Sequence, residues 1–175
     1  MLERRRMVLG WSVAAIGCLL LSPVVSAAAD SLPKPKGEIV LTVNGAITAT
    51  NGDGAAYFDR AMLKALPVRK FVTVTPWTKG LHTFTGVPLE ALMASVGARG
   101  TRVTALALND YSAEVPIADG ERHGAIVAYL FDGQPMLASD QGPLWIVYPY
   151  SIRSETRTET FYIRSVWNLY TLTVH

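Results

Sequence analysis

The chain has 175 residues, half of them hydrophobic, one cysteine and a formal net charge of +2. A length of this order makes one domain with a sizeable core. So slight a charge gives no electrostatic footprint for nucleic acid, and one cysteine excludes an internal disulfide framework.

The N-terminus sets the compartment. Arg4, Arg5 and Arg6 precede an apolar run from Met7 to Leu21, and Ala27-Ala28-Ala29 stand before Asp30. A basic start, an apolar centre and small residues at a cut site predict a secretory signal peptide over 1–29, cleaved after Ala29. The run is shorter than the roughly 20 residues of a spanning helix, and Pro23 closes it, so no stable membrane insertion is expected. Ala15-Ile16-Gly17-Cys18 is a lipoprotein-like alternative, although the apolar run continues past Cys18. Removing 1–29 takes three of the 16 basic and one of the 14 acidic residues, so the remainder is neutral. It also takes Cys18, the sole cysteine. The expected periplasmic domain has no disulfide, no thiolate ligand and no cysteine nucleophile.

Residues 30–38, with SLPKPKG, read as a flexible arm, and 39–175 as one domain. Glu38–Val43 alternates into the turn Asn44-Gly45 and predicts a strand. Tyr57–Leu66 places Phe58, Met62, Leu63 and Leu66 at helical spacing before Pro67. Arg69–Thr75 predicts a strand and Leu81–Thr85 a short one. Pro88 opens a helix with Leu89, Leu92, Met93 and Val96 inward, ended by Gly97. Thr101–Leu108 and Tyr111–Pro116 predict strands about Asn109-Asp110. Ala125–Phe131 and Gln134–Leu137 flank Asp132-Gly133, a hairpin signal. Leu144–Tyr148 and Phe161–Val174 are the last predicted strands. The sum is an α+β domain of short mixed or antiparallel strands and a few short helices.

Chemistry is sparse. His82, His123 and His175 are far apart, with no ligand spacing for a metal. Gly-x-Ser-x-Gly, the phosphate loop and Gly-x-Gly-x-x-Gly are absent. The acidic pairs Asp119/Glu121 and Glu155/Glu159 read as solvated surface. What recurs is aromatic and polar residues at strand ends: Trp77; Asn109, Asp110 and Tyr111; Tyr148, Tyr150 and Arg153; Arg157, Glu159 and Arg164. Flat faces with directional groups beside them suit a planar heterocycle. Trp77 and Tyr150 are the expected stacking platforms. Asp110 or Glu159 would accept from an amino edge, and Arg153, Arg157 or Arg164 would donate to a carbonyl edge. His82, Asn109, Tyr111 and Tyr148 complete the candidate set.

TFTGVPLEALMASVGA resembles the Gly-Val-Pro-Leu-x-x-Leu-Leu segment of the sulfite-oxidase-type molybdopterin-binding domain. ALNDYSAEVPI resembles its next strand pair. DGQPMLASDQGPLWIVYPY and RSVWNLYTLTV resemble its later stretches, in the same order, so the resemblance spans Ile39–Val174. In the catalytic members a cysteine thiolate ligates molybdenum upstream of that glycine; the matching positions here are Val74 and Thr75. A hydroxyl does not replace a soft sulfur ligand. The cysteine-free exported members that the chain resembles include periplasmic pterin-binding proteins, which partner an inner-membrane receptor controlling cyclic-di-GMP turnover. The resemblance therefore implies a non-catalytic pterin-binding protein, without a molybdenum cofactor. A small molybdopterin-dependent oxidoreductase and a ligandless accessory subunit of an exported redox complex are the alternatives.

Overall fold

The computed structural model describes residues 32–175, so the predicted signal peptide lies outside the described residues. Among these, no helix is long and apolar enough to cross a membrane. From Leu32 on, the predicted flexible arm is tied down. Lys36 and Gly37 donate their backbone N–H groups to Asp59 Oδ2 at 2.7 and 2.9 Å, and Asn51 donates to the Pro33 carbonyl.

Alternating strands such as Arg69–Thr75 and Arg102–Ala107 and buried apolar runs such as Ile126–Phe131 and Trp145–Val147 form two sheets of five strands. The first runs β2 (Ala56–Asp59), β1 (Ile39–Gly45), β10 (Leu169–Val174), β5 (Arg102–Ala107), β6 (Ser112–Pro116). Only its β1–β10 pair is parallel. The second runs β3 (Arg69–Thr75), β4 (Thr78–Pro88), β7 (Ile126–Phe131), β8 (Gln134–Pro135), with β9 (Trp145–Val147) also on β7. Four short helices join them: α1 (Arg60–Ala65), α2 (Leu89–Ser95), α3 (Asp119–His123) and α4 (Glu159–Ile163). Leu41, Val43, Phe58, Phe84, Leu92, Val103, Ile126 and Trp145 are buried in one core. Each such side chain contributes about 1.5–3 kcal/mol by leaving water.

The segment quoted above as TFTGVPL is the middle of this packing. At Gly86 the register between β4 and β7 shifts, and a Cβ there would overlap the Val127 carbonyl. Only glycine permits that approach. Pro88 then ends β4, and α2 follows at once.

Three expectations need correction. Tyr57–Leu66 is not one helix: Ala56–Asp59 pairs with β1, and the Asp59 carboxylate caps α1 by accepting from Met62 N–H at 2.8 Å. Phe161–Val174 is not one strand. Phe161 and Tyr162 donate to the Thr158 carbonyl and begin helix α4, and Asn168 at φ 50° turns the chain into β10. Asp119 is not solvated surface; it opens α3 and is 4% exposed.

Candidate functional site

A hollow of about 300 Å³ lies where three connections meet. The β3–β4 turn supplies Trp77, and the β5–β6 turn supplies Asn109 and Tyr111. Tyr162 and Ile163 come from α4, and Ser165 and Trp167 from the link to β10.

Each wall has a local cause. Thr75 Oγ1 accepts the N–H groups of Trp77 and Thr78, at 3.2 and 3.1 Å, and bonds to Thr78 Oγ1 at 2.8 Å. That side-chain turn presents the Trp77 indole. The ring meets Trp167 edge-on at 5.1 Å, Trp145 at 5.8 Å and Tyr162 at 6.0 Å. Edge-to-face contacts of this kind add to plain burial. Trp145 is fully buried behind the wall, and its indole N–H meets no acceptor among the described residues. On the other side Asn109 Oδ1 accepts from Tyr111 N–H at 3.2 Å, and Asp110 holds the turn at φ 64°. The Tyr111 hydroxyl donates to the Ile163 carbonyl at 2.8 Å and so ties this turn to α4. Ser165 Oγ donates to the Phe161 carbonyl and bonds to the Tyr150 hydroxyl.

A second layer holds α4 from behind. The buried Asp119 carboxylate accepts from the Tyr148 hydroxyl at 2.8 Å and pairs with Arg164 at 3.1 Å. Burial, then the Asp119 charge, pushes the Tyr148 phenol well up; burial likewise raises Tyr150. Both stay neutral donors across the ordinary pH range.

Of the residues nominated from sequence, Trp77, Asn109 and Tyr111 line the hollow. Tyr150 stands behind it through Ser165, and Tyr148 and Arg164 lie a layer deeper. The other arginines bond to backbone: Arg157 donates to the carbonyls of Tyr150 and Ser151, and Arg153 to that of Arg122. Asp110 and Glu159 are exposed and outside the lining. His82 is on β4, outside the lining. Its Nδ1 bonds to Asp132 Oδ2 at 2.7 Å, its Nε2 to the Lys79 carbonyl at 2.8 Å, and its ring stacks on Phe131. Both partners only accept, so the imidazolium is the form that fits, and the Asp132 bond raises its pKa.

Sequence reasoning missed Tyr162, Ile163, Ser165 and Trp167. The candidates the sequence offers in RTETFYIRSVWNL are its charged members, and the predicted strand Phe161–Val174 begins inside it. The available signal was the aromatic pair Tyr162 and Trp167, which a five-residue helix and a turn swing onto one wall.

The lining contains no Asp, Glu, His, Lys or Arg. Ser165 therefore has no neighbouring general base, and the chemistry on offer is stacking with a few hydrogen bonds from Asn109, Tyr162 and the indoles. A molybdenum cofactor is a different matter. No cysteine occurs in 32–175, and no group of three or more His, Cys, Asp or Glu among the described residues could hold a metal. Thr75, one of the two positions matching the family's thiolate, spends its hydroxyl on its own turn. The donor set does not fit the metal.

Comparison with known proteins places the fold. The model of the family "oxidoreductase molybdopterin binding domain" matches residues 57–155. That range carries Trp77, Asn109 and Tyr111 but stops before the α4 wall. No curated protein matches the chain. Among solved structures, the sulfane dehydrogenase SoxCD from Paracoccus pantotrophus superposes with a TM-score of 0.57 at 17% identity. The match covers 77% of this chain and 37% of that one, so the likeness is one of fold. With the family model spanning more than half its length on a fold of the sulfite oxidase type, the chain belongs to the oxidoreductase molybdopterin binding domain family.

Proposed function

We propose that this chain is a periplasmic, non-catalytic binding protein for a free pterin, acting as the ligand-sensing partner of an inner-membrane receptor in cyclic-di-GMP control. The observation that carries the ligand is the hollow itself. Trp77, Tyr111, Tyr162 and Trp167 surround it, Asn109 offers an amide at its rim, and no charged side chain lines it. Its volume of about 300 Å³ is at the small end of ligand pockets, as a lone bicyclic ring requires. The receptor and the export rest on the sequence resemblance and the predicted signal peptide.

Family membership favours one other reading, a small molybdopterin-dependent oxidoreductase. A ligandless accessory subunit is the remaining alternative. One preparation separates all three. Protein recovered from the periplasm is denatured, and the extract is scanned for pterin fluorescence and mass while the same sample is assayed for molybdenum. A free pterin without metal is the expected result. Stoichiometric molybdenum would overturn the proposal, and an empty extract that also fails to take up added pterins would leave the accessory subunit.

A further inference from the structure

We propose that the outer edge of β3 docks an extended acidic segment of a partner protein, which adds to the second sheet beside Lys70 and Val72. This goes beyond the ligand reading and does not depend on it.

The sheet edges are not equally open. On β2, Asn51 accepts from Tyr57 N–H and donates to Tyr57 O, both at 2.8 Å, so its side chain occupies the edge. β8 has two residues, one of them proline. β6 is short and ends at Pro116. β3 has seven residues and pairs, among the described residues, with β4 alone. Val74 N–H points away from β4, to Ser151 Oγ at 3.0 Å. Strand alternation then sends the N–H and C=O of Val72 and Lys70 to the same outer side. Among the described residues no other backbone group outside β3 and β4 bonds to them. Such a row is a template for another strand.

The surroundings of that edge favour a protein partner. Lys70, Val72 and Val74 alternate on the solvent face, and the register with β4 shifts just beyond the Thr73–His82 pair. Val72, Val74, Leu81 and Ile152 are among the few large hydrophobic residues left exposed, at 47, 41, 65 and 69%. Ile152 belongs to the segment after Tyr150 that forms the opposite bank. Between it and β3 runs a groove of about 270 Å³ lined by Lys70, Phe71, Glu121, Pro149, Ile152 and Arg153. Contiguous exposed apolar side chains of this kind mark interaction surfaces.

Charge selects the occupant. Arg69 is neutralised by Glu90 at 2.7 Å, and Arg153 is near Glu155 at 3.6 Å. Lys70, Arg122 and Arg157 form no ion pair among the described residues. Glu121 is the one acid lining the groove. A second copy laid antiparallel on this edge would bring its own Lys70 and arginines against these, whereas a strand with acidic residues at alternate positions meets them with opposite sign. The edge also adjoins the hollow: Val74 leads through Thr75 to Trp77, and Ser151 follows Tyr150, which bonds to Ser165.

The probe is a capped heptapeptide of alternating valine and glutamate, titrated into isotopically labelled protein, with a valine–lysine peptide as control. The valine–glutamate peptide should shift the Lys70 and Val72 amide signals and slow their exchange, and the control should not. Val72→Pro removes an N–H that faces away from β4, so the β3–β4 bonds remain, and it should weaken binding about tenfold or more, as should Lys70→Glu. Lys70 is exposed, so Lys70→Glu carries the test if Val72→Pro fails to fold. No shift at millimolar peptide, equal binding of the control, or shifts elsewhere on the surface would overturn the proposal. So would a concentration-dependent dimer abolished by Val72→Pro, because the edge would then belong to a second copy.

Discussion

Trp77 is the side chain on which the ligand reading turns, because its turn, its three aromatic neighbours and the hollow are separate facts that meet in one ring. Stacking of a heterocycle on such a ring is worth about 1–3 kcal/mol. Trp77→Ala should therefore weaken pterin binding by roughly tenfold to a hundredfold, measured by titration calorimetry, with circular dichroism showing that the sheets remain. Asp110 provides the contrast. It is exposed, outside the lining and at φ 64°, where asparagine is also tolerated. Asp110→Asn should leave affinity within about twofold to threefold; a larger loss would bring the aspartate back as the reader of the amino edge. His82 gives a pH prediction. Its bond to Asp132 raises the imidazole pKa above the ordinary 6.5 and lowers the carboxyl below 3.8. The histidine contribution is thus fully present below pH 6.5 and fades as pH rises through the raised value. The aspartate contribution is present above pH 3.8 and fades as pH falls through the lowered value. Urea midpoints of the wild type should fall between neutral and mildly alkaline pH, and His82→Asn should flatten that slope.

At the scale of elements, α4 is the part least visible in the sequence and most used by the site. Five residues cannot hold a helix alone. Two tertiary contacts hold this one, Tyr111 on the Ile163 carbonyl and Arg164 on the buried Asp119, and the local bond of Ser165 to the Phe161 carbonyl closes its end. Neither long-range partner lies within RTETFYIR, so the strand predicted over Phe161–Val174 begins inside what is a helix. The long hairpins were legible for the opposite reason. In β3 and β5 the alternation of core and surface residues repeats within the strand, while β7 is an apolar run with its first four residues buried, and Asp132-Gly133 marks its own turn. The site divides along the same line. Trp77, Asn109 and Tyr111 sit in turns whose local chemistry shows in sequence. The arginines stand outside the lining because their donors go to backbone carbonyls and to Asp119. This arrangement predicts that Asp119→Ala, which leaves Tyr148 and Arg164 without their acceptor, costs about 2–4 kcal/mol. Arg164 still reaches water, which keeps the cost below that of a sealed ion pair. Thermal unfolding should register the loss. Pterin affinity should fall as well, although no atom of Asp119 lines the hollow.

At the scale of the whole molecule, the tryptophans make the fold its own reporter. The chain has four: Trp11 lies in the predicted signal peptide, and Trp77, Trp145 and Trp167 pack against one another. Every indole of residues 32–175 is thus within the cluster that walls the hollow. A pterin stacked there sits beside all the emitters at once, so saturating ligand should quench most of the tryptophan emission of the cleaved protein. A ligand bound at the groove under the β1 and β10 side, lined by Val40, Met136 and Tyr170, would touch none of them and leave the emission near its starting value. The same titration gives an energetic check. Ligand at about a hundred times its dissociation constant stabilises the folded state by roughly 2.7 kcal/mol, which shifts the midpoint of a domain this size upward by several degrees. If the hollow holds an organic ring alone, the molybdenum content of the growth medium changes neither the quenching nor the shift. If it holds a molybdenum cofactor, that content changes both. Strong quenching with molybdenum-independent stabilisation therefore supports a ring in the Trp77 hollow and separates ring binding from metal binding in one experiment.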